Sequence, residues 1–165
     1  MINKLRLQTQ SVNKSIHDFG CLYSCYLAMI QDKAHEILDD ARIIQIFERA
    51  KNTKAIYDNE IPIGSPGWYR AFCAWPQQIL NLAASELKIQ IMPPVTSGKF
   101  DAITPDTIKI VCNYKYIIAK LRYKKTLEHF VVGHFEENDF FIDYDPAGRT
   151  AKDYGALLSI RGWNI

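Results

Sequence analysis

The hydrophobic pattern of this chain changes its period once, near the middle. Up to residue 87, apolar residues recur at the three- and four-residue spacing typical of helices. Beyond that point they alternate with polar residues or form short continuous runs, as they do in strands. Helices followed by strands do not build alternating βαβ units. The order therefore predicts an α+β fold, with N-terminal helices packed on a C-terminal antiparallel sheet.

Three helices are predicted in the first half. The first follows Gly20 and carries apolar residues at i+4 on more than one side, which indicates a buried, central helix. The second begins after Asp39 or Asp40 as its N-cap, and the third has Pro76 in its first turn. The segments expected to be irregular are an extended arm at 1–19 and a long connection at 52–74.

Six strands are predicted in the second half, at 89–92, 107–112, 116–123, 129–135, 140–144 and 158–163. The polar stretch between the fourth and the fifth should close a hairpin. With a three-residue loop at 136–138, Phe135 pairs with Asp139, and counting back places His129 opposite Asp145. A slip of one residue would break this alignment.

Composition limits the function classes. The 165 residues fit one compact domain, and a net charge of +2 with scattered Lys and Arg gives no reason to expect nucleic acid. No apolar run is long enough to span a bilayer. Residues 1–8 show neither an apolar h-region nor a cleavage site, so we expect no signal peptide and a cytoplasmic protein, unless lysis or a dedicated machine releases it.

Cys21 is the first candidate for chemistry. It follows Gly20 at the start of an apolar helix, where the helix dipole and free N–H groups favour a thiolate. A thiolate is the attacking species in acyl transfer. The alternative is that Cys21 is only a small buried residue, as many single cysteines are.

His129 and Asp145 are the second signal. Directly opposed residues on neighbouring strands have Cβ atoms ~5 Å apart, which suits an imidazole–carboxylate hydrogen bond. Such a bond holds the ring in one tautomer and leaves the other nitrogen to face a thiol. Asp143 shares the strand face with Asp145 and is the alternative partner for His129.

Two other uses of these residue types are less favoured. Cys25 lies one turn inside the predicted helix, where burial raises a thiol pKa, so we interpret it as core. Zinc binding by Cys21, Cys25, His129 and His134 is not expected, because the two histidines are five apart on a strand and point to opposite faces. We expect no metal and no cofactor.

Together these residues resemble the papain-like cysteine peptidase superfamily. The blocks that carry the resemblance are Gly20-Cys21 opening a helix with Leu-Ala-Met, His129 followed by Phe-Val-Val, and Asp145-Pro146. The nearest members are small bacterial and phage proteins related to bacteriocin double-glycine leader peptidases, which typically have Gly-Pro after the nucleophile where this chain has Leu-Tyr. The resemblance implies one papain-like domain over 1–165 with a Cys21, His129 and Asp145 triad.

The resemblance also implies a glutamine upstream of the nucleophile as a side-chain donor to the oxyanion. Gln8 and Gln10 are the candidates, and Gln10 is our prediction; both could also be solvated arm residues. The implied function is a cysteine hydrolase, a peptidase or amidase, that cleaves an amide in a protein or a peptidoglycan peptide through an acyl-enzyme. The alternative is a catalytically silent binding module with the same fold.

Overall fold

A computed structural model describes residues 5–59, 61–93, 95–96 and 98–165. Within them the fold is α+β, with five α-helices and seven strands. The helices are α1 (Lys14–Phe19), α2 (Cys21–Ala34), α3 (Asp40–Asn52), α4 (Pro76–Glu86) and α5 (Pro105–Val111). The strands are β1 (Ile56–Tyr57), β2 (Phe72–Cys73), β3 (Val95–Thr96), β4 (Tyr116–Tyr123), β5 (Leu127–Glu136), β6 (Asp139–Tyr144) and β7 (Tyr154–Asn164). Short 3₁₀ helices cover Gln8–Gln10 and Ala151–Asp153.

The main sheet has five strands in the order β3-β7-β4-β5-β6, and every pair in it is antiparallel. Hairpins join β4 to β5 and β5 to β6, and β7 returns to lie beside β4. The short strands β1 and β2 pair separately within the 52–74 connection. The predicted antiparallel arrangement is therefore confirmed.

Helix α2 is the centre of the fold, as its pattern predicts. Its residues from Tyr23 to Gln31 are all buried, and the helix packs against β5 and α4. Gly20 allows α2 to begin directly after α1. A Cβ atom at Gly20 would lie 2.6 Å from the carbonyl oxygen of Ile16 and 2.8 Å from its Cα, so a larger residue would push the two helices apart.

Two hydrophobic clusters flank the sheet. One joins α2, α3 and α4 to the sheet through residues such as Ile118, Val132 and Trp163. The other joins α5 to the sheet through Val131 and Ile160, among others. No helix of the described residues has the length and apolar character needed to cross a membrane.

The predicted secondary structure is wrong in three places. The 107–112 segment belongs to helix α5, because Thr104 caps the backbone N–H of Thr107 at 3.2 Å and Pro105 takes the first helical position. The 89–92 segment forms no regular strand. The arm contains a 3₁₀ turn and α1, anchored by the fully buried Ile16; its residues 1–4 lie outside the described part.

The β5–β6 hairpin also has a different register from the one predicted. Glu136 pairs with Asp139, so the loop has two residues, 137–138, instead of three. An unbroken register of this kind would place Asp145 opposite Phe130, on the face of β5 that points away from His129. The predicted partnership of Asp145 and His129 therefore depends on an irregularity further along the hairpin.

That irregularity is a β-bulge at Asp143. Gly133 pairs with Ile142, but the next pair is Val132 with Tyr144, which leaves Asp143 as the extra residue. Each position after the bulge is turned to the opposite face of the strand. Asp145, directly after Tyr144, thereby lies on the same side of the sheet as His129.

Candidate active site

Cys21 is the first residue of α2, with Gly20 as the N-cap. Its half-buried side chain lines a cleft of about 310 Å³, together with His129 from β5 and Gln8 from the N-terminal arm. The N–H groups of the first helical turn have no partner within the helix, and the helix dipole is positive at this end. A position at a helix N-terminus beside an imidazole is typical of reactive cysteines.

His129 is buried and joins the thiol to a carboxylate. Its Nε2 lies 2.8 Å from Oδ1 of Asp145, which leaves Nδ1 for Cys21. Burial alone lowers the pKa of His129, but the hydrogen bonds and charges of Asp145 and Cys21 outweigh that effect and raise it to about 9. The geometry thus favours an imidazolium beside the sulfur at neutral pH.

The Asp145 carboxylate is held from several directions. Its Oδ1 accepts a hydrogen bond from the backbone N–H of Ala147 at 2.8 Å. Its Oδ2 accepts one from the N–H of Arg149 at 3.0 Å and one from the hydroxyl of Tyr154 at 2.6 Å. Burial raises the pKa of Asp145, but the donors from His129, Tyr154 and Ala147 outweigh it and lower the pKa below its ordinary value. The group is therefore a fixed anion.

The N-terminal arm supports the turn that contains Asp145. The backbone N–H of Gln8 donates to the carbonyl of Pro146 at 2.7 Å, and the hydroxyl of Tyr144 donates to the carbonyl of Arg6 at 2.9 Å. Gly148 has a positive φ of 67°, and a Cβ there would lie 2.6 Å from the side chain of Leu7. The arm is thus part of the site and not an extended appendage.

Gln8 lies in the cleft, whereas Gln10 does not. The Gln8 side chain is buried and donates from Nε2 to the carbonyl of His17 at 2.9 Å, while its Oε1 has no hydrogen-bond partner among the described residues. Gln10 is exposed, and its Oε1 accepts from the N–H of Leu7 at 2.9 Å. It lines a different concavity, along β6, so its position does not support the role predicted for it. Both glutamines lie in one 3₁₀ turn, where residues two apart point in different directions.

The other cysteines differ from Cys21. Cys25 is fully buried in α2, and burial raises its pKa well above the ordinary value, with smaller contributions from Cys21, Asp145 and Cys73. Burial likewise raises the pKa of Cys73. Cys112 is exposed, and all four are free thiols. The interpretation of Cys25 as core agrees with this burial.

His134 forms a second histidine–carboxylate pair away from the cleft. Its Nδ1 lies 3.0 Å from both carboxylate oxygens of Asp143, and the pair is exposed. Asp143 is thus partnered by a different histidine from the one beside Cys21. Within the described residues, no three His, Cys, Asp or Glu side chains are grouped as a metal site would require.

Sequence reasoning missed Tyr154. Its ring stacks on the imidazole of His129, with centroids 5.7 Å apart and an angle of 12° between the planes, while its hydroxyl binds Asp145. It lies at the start of β7, four residues before the strand that the hydrophobic pattern predicts. A sequence pattern that locates strands by apolar residues gives no signal for a tyrosine at a strand end.

Comparisons with protein-family models, with curated proteins and with solved structures find no match to this chain. The geometry of the cleft is therefore the basis for a functional assignment. A thiol at a helix N-terminus, an imidazole held by a buried carboxylate and a nearby amide donor together have the chemical requirements for acyl transfer.

Proposed function

We propose that this protein is a cysteine hydrolase with a papain-like arrangement, which cleaves an amide bond in a protein or a peptidoglycan peptide. The observation that carries the proposal is that Cys21 and His129 line one cleft, while Asp145 binds the imidazole of His129 from behind it. Each residue alone has an ordinary structural explanation. A thiol at a helix N-terminus that faces a carboxylate-bound imidazole has a specific chemical use.

In the first half of the reaction, the Cys21 thiolate attacks the carbonyl carbon of the scissile amide. His129, as the imidazolium, then gives its proton to the leaving nitrogen, and the C–N bond breaks to leave a thioester on Cys21. The pKa of about 9 keeps the imidazolium available at neutral pH. Asp145 keeps the ring oriented between sulfur and substrate throughout.

The negative charge that develops on the carbonyl oxygen needs donors in the cleft. The backbone N–H of Cys21 is one, since the first helical residues have no intrahelical acceptor. We assign the side-chain donor to Gln8, whose amide has a second N–H besides the one given to His17. Its backbone bond to Pro146 ties this donor to the turn that carries Asp145.

In the second half, water replaces the amine in the cleft. His129, now neutral, takes a proton from the water as it attacks the thioester carbonyl. The C–S bond breaks, the acid product leaves, and the thiolate and imidazolium form again. These steps use only residues of this chain and one water molecule.

The test is whether a defined amide is cut. The protein is incubated with a peptide mixture of diverse sequence and, separately, with purified peptidoglycan, and new amino groups are identified by mass spectrometry. We expect cleavage that Cys21→Ala abolishes and that His129→Gln slows at least ~100-fold, the scale of a lost general acid–base.

His134→Gln is the matched control, because His134 also pairs with a carboxylate but lies outside the cleft. It should leave cleavage unchanged. Cleavage that survives Cys21→Ala would contradict the assignment of the nucleophile. Binding of peptides or peptidoglycan without cleavage would instead favour the silent binding module.

A further inference from the structure

Tyr154 makes two contacts with the histidine–carboxylate pair at once. Its hydroxyl donates to Oδ2 of Asp145 at 2.6 Å, the shortest of the bonds that hold this carboxylate. Its ring lies almost parallel to the imidazole of His129, at 5.7 Å. The two contacts hold the carboxylate through the oxygen that His129 does not use and cover one face of the imidazole.

We propose that Tyr154 is a positioning residue for the reaction, acting on His129 through Asp145, with its hydroxyl holding the carboxylate and its ring holding the imidazole plane. This inference rests on the proposed function, since it concerns the base of that reaction. Tyr154 does not touch Cys21 in the described contacts and is not itself a catalytic residue.

The physical effect follows from the shared carboxylate. A strong donor on Oδ2 takes part of the negative charge of Asp145, so less is available to the N–H of His129. Removing only the hydroxyl strengthens the bond to His129 and favours the imidazolium. Removing the ring as well lets water reach the imidazole and frees it to rotate.

The change in the His129 titration can be attributed to the Tyr154 hydroxyl only if the other titratable and charged groups near His129 and Asp145 keep their positions. Arg149 is a cation that lines the cleft; it hydrogen-bonds the Tyr154 side chain, and its guanidinium lies 3.9 Å from the ring centroid of Tyr123, which holds it. The others face the cleft or the carboxylate from the surrounding elements: Asp18 from α1, Cys21 and Cys25 from α2, Glu128 from β5 and Tyr144 from β6. Tyr154→Phe leaves all of these side chains in the chain and removes only the hydrogen bond of Arg149 to the hydroxyl, while Tyr123 still contacts the guanidinium.

The experiment is an NMR titration of the histidine rings in the full-length protein, with ¹³C-labelled histidine and with His129→Gln to assign the His129 signal. Tyr154→Phe is the test variant. Tyr116→Phe is the matched control, because the Tyr116 hydroxyl also donates to an aspartate, Oδ2 of Asp32 at 3.0 Å, at the far end of α2 from Cys21.

We expect Tyr154→Phe to raise the midpoint of the His129 titration by at least half a pH unit, and Tyr116→Phe to leave it unchanged. An unchanged or lowered midpoint in Tyr154→Phe would overturn the proposal. Should Tyr154→Phe fail to fold, the unsubstituted protein provides the second measurement. A slowly exchanging tyrosine hydroxyl proton with a nuclear Overhauser effect to the His129 ring is expected, and its absence would overturn the proposal.

The same samples separate this inference from the proposed function. Cys21 alkylation by iodoacetamide is measured in the unsubstituted protein and in His129→Gln. If Cys21 reacts quickly only when His129 is present, but Tyr154→Phe leaves the titration unmoved, the role of Tyr154 fails while the proposed function stands. If His129 has no influence on the thiol, the proposed function itself fails.

Discussion

The buried His129–Asp145 pair should make the stability of this protein depend on pH in a specific window. His129 has a pKa of about 9 in the folded protein, compared with 6.5 for an unperturbed histidine. Because the folded value is the higher one, the interactions of protonated His129 with Asp145 and Cys21 contribute their full stability below pH 6.5. The contribution is lost as the pH rises towards and through 9.

The size of the effect follows from the two pKa values. At 1.36 kcal/mol per pKa unit, the difference corresponds to roughly 3 kcal/mol in the free energy of unfolding. Both side chains are almost fully buried, at 6% and 5% exposure, so solvent does little to screen the interaction. This is a large fraction of the 5–15 kcal/mol that typically stabilises a domain.

The assay is urea unfolding under reducing conditions from pH 6 to pH 10, for the unsubstituted protein and for His129→Gln. Glutamine keeps an N–H donor for Asp145 but does not titrate, so the difference between the two curves isolates the histidine. We expect the unsubstituted protein to lose about 3 kcal/mol relative to the variant between pH 6.5 and pH 10. A difference that stays constant over this range would refute the reasoning.

His134→Gln is the control for this measurement. His134 also has a raised pKa, caused first by its hydrogen bond to Asp143, but the two side chains are 46% and 33% exposed to solvent. Exposed ion pairs contribute little to stability. The pH dependence of unfolding in this variant should therefore match that of the unsubstituted protein.

Three further predictions concern the geometry of the site. Asp145→Asn should leave the protein folded but reduce amide cleavage ~10⁴-fold, the scale of the equivalent change in a serine triad, whereas Asp143→Asn should change the cleavage rate little. An unchanged rate in Asp145→Asn would mean that a different residue completes the triad. Gly133→Ala should lower the free energy of unfolding in urea by ~1–3 kcal/mol, because its Cβ would meet the carbonyl oxygen of Phe141 and lie 2.6 Å from the ring of Phe140. An unchanged free energy of unfolding would mean that these contacts do not constrain the bulge. Gln8→Ala should reduce the cleavage rate ~100-fold or more and Gln10→Ala should not, measured with the same substrate. The reverse result would favour Gln10 as the oxyanion donor, as the sequence predicts.

The general architecture could be predicted because period and order are properties of the sequence. Apolar spacing and Gly20 predict helix α2, and the hydrophobic pattern predicts β4 with the bounds that the structure shows. The strand predicted at 107–112 is wrong, because the seven residues of helix α5 include several apolar side chains that fit either period. The N-cap at Thr104 is the feature that favours the helix, and so short a helix has few other sequence features that distinguish it from a strand.

The pairing of His129 with Asp145 shows a different limit. The expected register was wrong in the loop, yet the two residues meet because the bulge at Asp143 turns Asp145 to the required face. The bulge coincides with a close approach of Gly133 to β6, and the hydrophobic pattern of the sequence reveals neither feature. The same holds for Gln8, whose position follows from a backbone bond to Pro146.

The central claim, that Cys21 is an activated nucleophile, is tested most directly by alkylation at pH 6. The exposed Cys112 serves as an internal reference for access without activation. An ordinary thiol of pKa ~8.5 is only ~0.3% thiolate at this pH and reacts slowly. Site-resolved mass spectrometry after brief exposure to iodoacetamide should show Cys21 modified at least ten times faster than Cys112. Modification of Cys112 first, or of both at equal rates, would contradict the account.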